Sequence, residues 1–184
     1  MMMQLSHVLL ARRDPTSGGQ SLVEFALVLP ILALLLFGVI QFGIIFGGYN
    51  SLINSVREAA RYGSVCVGGP STCGQATADY TGTKIQASGF AYASAANGQV
   101  EYQSYQEPAT TGQWNIRMRV SGCVKTVLFI PLIGNIINPT LPSRFPMKSV
   151  ETFRVEGNPS SAPVSGIPSD GTWGSPYTFG GGGC

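Results

Sequence analysis

Apolar residues run from Phe25 to Phe46 without a charge, interrupted only by Pro30, Gly38, Gln41 and Gly43. At 1.5 Å per residue a helix of that length reaches roughly 33 Å, enough to cross a hydrocarbon core. The pattern then becomes one-sided. Tyr49, Leu52, Ile53, Val56, Ala59 and Ala60 recur at three-and-four spacing, with Asn50, Ser51, Asn54, Ser55, Arg57, Glu58 and Arg61 on the opposite face. Gly63 is the predicted stop. The expectation is one long helix, apolar all round in its first half and amphipathic in its second.

Beyond it, Tyr80, Lys84, Ile85 and Phe90 predict a shorter helix over Thr77 to Ala93, weakened by Gly82 and Gly89. Val100 to Tyr105 reads as a strand. Trp114, Ile116, Met118 and Val120 alternate with Asn115, Arg117, Arg119 and Ser121, which predicts a half-buried strand whose arginines lie on a solvent face. Val124 to Ile137 is very apolar but broken by Pro131 and Gly134; too short to span, it reads as a buried crossover in the core in preference to a patch lying on the membrane or a partner. Met147 to Val155 completes a small antiparallel sheet. From Gly157 onward proline, serine and glycine dominate, which predicts a disordered tail with Trp173, Tyr177 and Phe179 as isolated aromatics able to dock. The fold class is α+β, with the long N-terminal helix packed on that sheet.

Composition removes several function classes. Only 11% of the 184 residues are charged and the net charge is +2, so no electrostatic nucleic-acid binder is indicated. The one histidine, His7, precedes the span, and no serine or cysteine sits in a nucleophile motif. Glu101 and Glu107 read as surface charges. The chain is therefore read as no enzyme, with no cofactor, no metal site and no small-molecule substrate. Four cysteines, Cys66, Cys73, Cys123 and Cys184, follow the span and suit an oxidising compartment. Cys66 and Cys73 are the favoured bridge, closing a loop around Gly68-Gly-Pro-Ser-Thr. Cys123 and Cys184 are the remaining pair, although Cys184 can equally bond another molecule or stay reduced.

The front edge of the span carries the chemistry. Gly18 and Gly19 precede Gln20-Ser-Leu-Val-Glu24-Phe25 and then Ala-Leu-Val-Leu-Pro30, so one carboxylate, Glu24, lies just inside the apolar run. An ionisable group there is expensive and marks a functional-site candidate. The alternative is an acidic residue that merely suits the first turn of an anchor helix. The segment from Gly18 to Gly63, including Arg57-Glu-Ala-Ala-Arg-Tyr-Gly63, resembles TadE-type pseudopilins of the tight-adherence branch of type IV pilus systems. The resemblance implies cleavage by a prepilin peptidase between Gly19 and Gln20. Glu24 and Phe25 then become the fifth and sixth mature residues, used in assembly. A cut there leaves an α-amine on Gln20 at the positive end of the helix dipole, and Glu24 can neutralise it in its own subunit or a neighbour.

The division this predicts is a leader over 1–19, a transmembrane helix over 20–48, an extracytoplasmic domain over 49–156 and a tail over 157–184. Arg12 and Arg13 before the span balance Arg57 and Arg61 after it, so charge does not orient the chain. The cysteines and the cleavage motif place the leader in the cytoplasm and the domain outside a bacterial inner membrane. Pro30 frees the carbonyl of Ala26, and Gly43-x-x-x-Gly47 offers a close-approach face for another helix. The implied partners are the membrane, the peptidase, other pilins or pseudopilins and the assembly platform. The competing reading is an unprocessed single-pass anchor whose outer domain binds a ligand or scaffolds envelope proteins.

Overall fold

A computed structural model describes residues 17–67, 69–88, 93–106, 112–127, 144–156 and 161–180. Most of the expected leader, including His7, Arg12 and Arg13, lies outside these residues, as do Glu107, the 128–143 part of the apolar stretch, and Cys184. Packing divides the chain into Met1–Ile40 and Gln41–Cys184. Helix α1, Ser17–Ser64, contributes to both units and continues through Pro30. Helix α2 is Pro70–Ala87; the strands are β1 (Ala93–Gln106), β2 (Trp114–Val127), β3 (Arg144–Arg154) and β4 (Tyr177–Phe179). The α+β class holds.

In the first unit, α1 has no side to bury: Leu22, Val23, Phe25, Leu27 and Val39 are all more than half exposed. Among the described residues α1 is the one helix long and apolar enough to cross a membrane. In the second unit the amphipathic pattern works as read. Leu52, Val56, Ala59 and Ala60 are buried with Val100, Met118 and Val120 in one core, while Tyr49 stays exposed. Ser55, expected on the polar face, is buried and donates to the Ser51 carbonyl at 2.9 Å. Gly63 does not terminate the helix, which continues to Ser64. A Cβ at Gly63 would lie 2.6 Å from Thr77 Oγ1 and 2.7 Å from Met118 Cε, so glycine is needed there for close approach.

Helix α2 starts seven residues earlier than the periodicity suggested and ends at Ala87, leaving Ala93 to β1. Gly69, at φ 79°, turns the chain into it, and Pro70 occupies its first position, where a missing N–H costs nothing. Gly74 and Gly82 inside the helix lie under the rings of Tyr177 and Phe179. A residue type that weakens a helix in isolation here makes room for side chains arriving from the far end of the sequence.

The sheet is antiparallel in the order β3-β2-β1-β4. Val100↔Val120 and Tyr102↔Met118 face the core, and Glu101↔Arg119 and Gln103↔Arg117 share the other face. Two expectations are corrected here. Glu101 is no surface charge: it is 7% exposed and paired with Arg119 at 2.6 Å. Arg117 and Arg119 are no simple solvent face either, because the Trp173 ring lies 5.4 Å and 4.4 Å from their guanidinium carbons. A partly covered, low-dielectric setting strengthens both kinds of contact.

The stretch 161–180, expected to be disordered, is docked. Tyr177–Phe179 pairs with Gly98–Val100, Ser104 N–H donates to Pro168 O at 2.8 Å, and Gly174 N–H donates to Tyr102 O at 2.9 Å. Ile167 and Phe179 enter the core. The three aromatics do dock, and what they dock on is the chain's own sheet and α2.

Candidate functional site

Glycine costs a helix about 1 kcal/mol relative to alanine. Gly19 nevertheless sits inside α1, and a Cβ there would meet nothing within 4 Å. Among the described residues, neither conformation nor packing calls for glycine at 19. The Gly19–Gln20 bond lies in the first turn, and the Gln20 side-chain amide donates to Glu24 Oε1 at 3.2 Å, one turn on. Glu24 is exposed among exposed apolar neighbours, with Phe25 63% exposed. Since α1 begins at Ser17, Glu24 lies two turns inside the helix, and it becomes an early-turn acid only if the chain starts at Gln20.

Farther along, Gly43 is exposed, with nothing among the described residues within 4 Å of where its Cβ would lie, and Gly47 is half-buried. The i, i+4 pair leaves at least its first member free for an approaching helix.

The Gln41–Cys184 unit is stapled by the Cys66–Cys73 disulfide, with a Cα separation of 5.9 Å, which agrees with the sequence expectation. Cys123 is also disulfide-bonded. Two ion pairs tie α1 to the rest of this unit, Arg57–Glu151 at 2.8 Å and Lys84–Glu58 at 2.6 Å. Lys84 and then the Tyr80 hydroxyl hold the Glu58 carboxyl below its ordinary range, and Glu58 raises Lys84 in return. Both groups are exposed, so the pair adds little stability.

Sequence reasoning missed Tyr102. It lies on the core face of β1, 4% exposed, with its ring 6.1 Å from Tyr177. Burial pushes its pKa up to about 12, against a smaller opposing effect from the Thr77 hydroxyl. The two hydroxyls lie against one another in the core, short of regular hydrogen-bond geometry. The strand alternation around Val100 places Tyr102 inward, but only the fold sets its hydroxyl beside that of Thr77. Among the described residues no group of three or more His, Cys, Asp or Glu is placed to hold a metal.

Residues 19–61 match the family model described as TadE-like protein, a match confined to α1. No curated protein and no solved structure matches the chain.

Proposed function

We propose that this chain, TadE-like over residues 19–61, is a minor pseudopilin of a Tad-type pilus assembly or secretion system. The observation that carries the reading is the family match over a helix that opens with Gly19-Gln20, sets Glu24 one turn later and is then apolar through Phe46. Its role is assembly rather than catalysis. The chain inserts in the inner membrane, a prepilin peptidase cuts after Gly19, and the domain from about residue 49 works outside the membrane. The freed Gln20 amine takes the place of the Gln20 amide as partner to Glu24, in the same subunit or a neighbour. An ion pair in hydrocarbon is far stronger than in water and fixes subunit register. Phe25 and the Gly43–Gly47 face pack against neighbouring helices. The unexplained glycine at 19 supports this reading, because a peptidase that needs a side-chain-free residue supplies the reason that folding does not.

The test is the N-terminus and intact mass of the protein from membranes with and without its peptidase. A chain starting at Gln20 only when the peptidase is present is the expected result. A retained leader beside an active peptidase would leave the unprocessed anchor as the better account. Glu24→Ala should insert and be cleaved normally yet fail to enter the assembly; normal incorporation would remove the role given to Glu24.

A further inference from the structure

The Cys66–Cys73 bridge ties the end of α1 to the start of α2, and Tyr62 meets Tyr80 across the same two helices. Their rings stack with centroids 4.5 Å apart and planes 13° from parallel, the short end of the aromatic range. Tyr62 is 41% exposed, so the pair is open to solvent. The Tyr80 hydroxyl donates to Glu58 Oε1 at 2.9 Å, and the Lys84 ammonium lies 2.6 Å from the same oxygen. Both contacts hold the Glu58 carboxyl below its ordinary range, so at neutral pH an ionised base faces the Tyr80 proton.

A phenol loses an electron readily only when its proton leaves as well. Lys84 Nζ stands 5.2 Å from the centre of the Tyr80 ring and opposes a bare positive charge there. The Glu58 carboxylate removes that obstacle by taking the proton, which leaves a neutral phenoxyl radical. The odd electron of such a radical occupies π lobes above and below the ring, shared between the oxygen and the Cε carbons beside it. Parallel stacking points the lobes of two rings at one another. Tyr102 and Tyr177, by contrast, meet edge to face at 6.1 Å, and Tyr102 is 4% exposed, so that pair has neither the overlap nor the access.

We propose that Tyr62 and Tyr80 form an oxidative cross-linking site, at which a peroxide, used in one-electron steps by a haem peroxidase, joins Cε of one ring to Cε of the other. Each phenol gives up one electron and one proton, the two radicals pair to make the carbon–carbon bond, and the hydrogen left on each bonded carbon moves to its oxygen. The peroxide takes up the two electrons and two protons and leaves as two waters. The product is a second covalent tie between α1 and α2, one that a reductant able to open Cys66–Cys73 does not break. The cysteine usage already suits an oxidising compartment, where such a tie can form. This goes beyond the assembly reading and does not rest on it.

The test treats the full chain in lipid nanodiscs, at low concentration, with hydrogen peroxide and a haem peroxidase, and maps the product by mass spectrometry. Trypsin releases 62–84 as one peptide, because Arg61 and Lys84 bound it and no other Lys or Arg lies within. With its cysteines reduced and alkylated, that peptide should be lighter by two hydrogen atoms and give no backbone fragments from between Tyr62 and Tyr80. Tyr62→Phe and Tyr80→Phe should each abolish the mass loss, and denaturant, which removes the proximity of the rings, should cut its yield about tenfold or more. Glu58→Gln should slow it by about threefold or more, since the phenol then faces no base. The proposal is overturned by a 62–84 peptide of unaltered mass, by a loss that survives either Phe variant, by equal yield in denaturant, or by links formed only between chains. An unchanged rate in Glu58→Gln would overturn the role given to the carboxylate.

Discussion

Ser17–Ile40 and Gln41–Ser64 are consecutive stretches of one helix, and the side chains of the first are almost all exposed: Leu22 at 69%, Leu27 at 69%, Val39 at 73%. In the second, Val56, Ala59 and Ala60 are at 0%. Backbone geometry is common to both; what differs is who supplies the apolar partner. The second stretch finds it in strands and α2 of its own chain, so its residues are tuned to one another. The first finds none among the described residues, and surroundings such as lipid or other helices would demand hydrophobicity but tolerate many sequences. The carboxylate of Glu24 in that permissive stretch is therefore the position least explained by solvent matching alone.

The contrast is broken most severely by one acid placed in each half. Val56→Asp buries a carboxylate among apolar groups and should cost the C-terminal unit more than about 4 kcal/mol, read as loss of its cooperative denaturation transition. Leu35→Asp should leave that transition where it was and instead oppose membrane integration by about 3 kcal/mol, read by alkaline extraction. A comparable loss of folded domain in both variants would mean that the halves are not separate in their energetics.

Two glycines sharpen the same point. Gly63→Ala meets Thr77 and Met118 and should destabilise the domain by about 1–3 kcal/mol in chemical denaturation, whereas Gly43→Ala meets nothing and should change it by less than about 0.5 kcal/mol. A cost at Gly43 as large as at Gly63 would place an intrachain neighbour beside it that the structure does not.

The smallest effect is one of pH. Tyr102 has an ordinary value of 10.0 and is held at about 12 when folded. Between the two the unfolded chain loses the proton while the folded chain keeps it, so the contribution is full below pH 10 and declines as pH rises toward 12. Tyr102→Phe should flatten this decline by on the order of 1 kcal/mol relative to wild type. Identical alkaline profiles for the two proteins would show that the phenol is not held neutral by burial.

What could be read from the sequence follows the range of the interaction involved. The long helix, the alternation through Trp114–Ser121 and the Cys66–Cys73 bridge depend on neighbours within a few turns or one loop, and each was legible. The start of α2 was not, because Gly69 and Pro70 look like loop residues until the disulfide fixes the turn they make. Glu101 looked like a surface charge because its partner, Arg119, belongs to the next strand and its cover involves Trp173, far downstream. Within α2, Gly74 and Gly82 look like helix weaknesses and are contacts for Tyr177 and Phe179. The candidate motif at Gly19–Phe25 was legible as sequence.

The pairing of Gly98 with Phe179 also sets an order of events. Strand β1 is synthesised early, yet its outer edge and part of its core wait for residues made long after β3. Until Phe179 emerges, an edge of β1 is open to any extended peptide, including another copy of itself. The topology thus carries an interval of vulnerability, and whatever shields the nascent domain must act until β4 arrives.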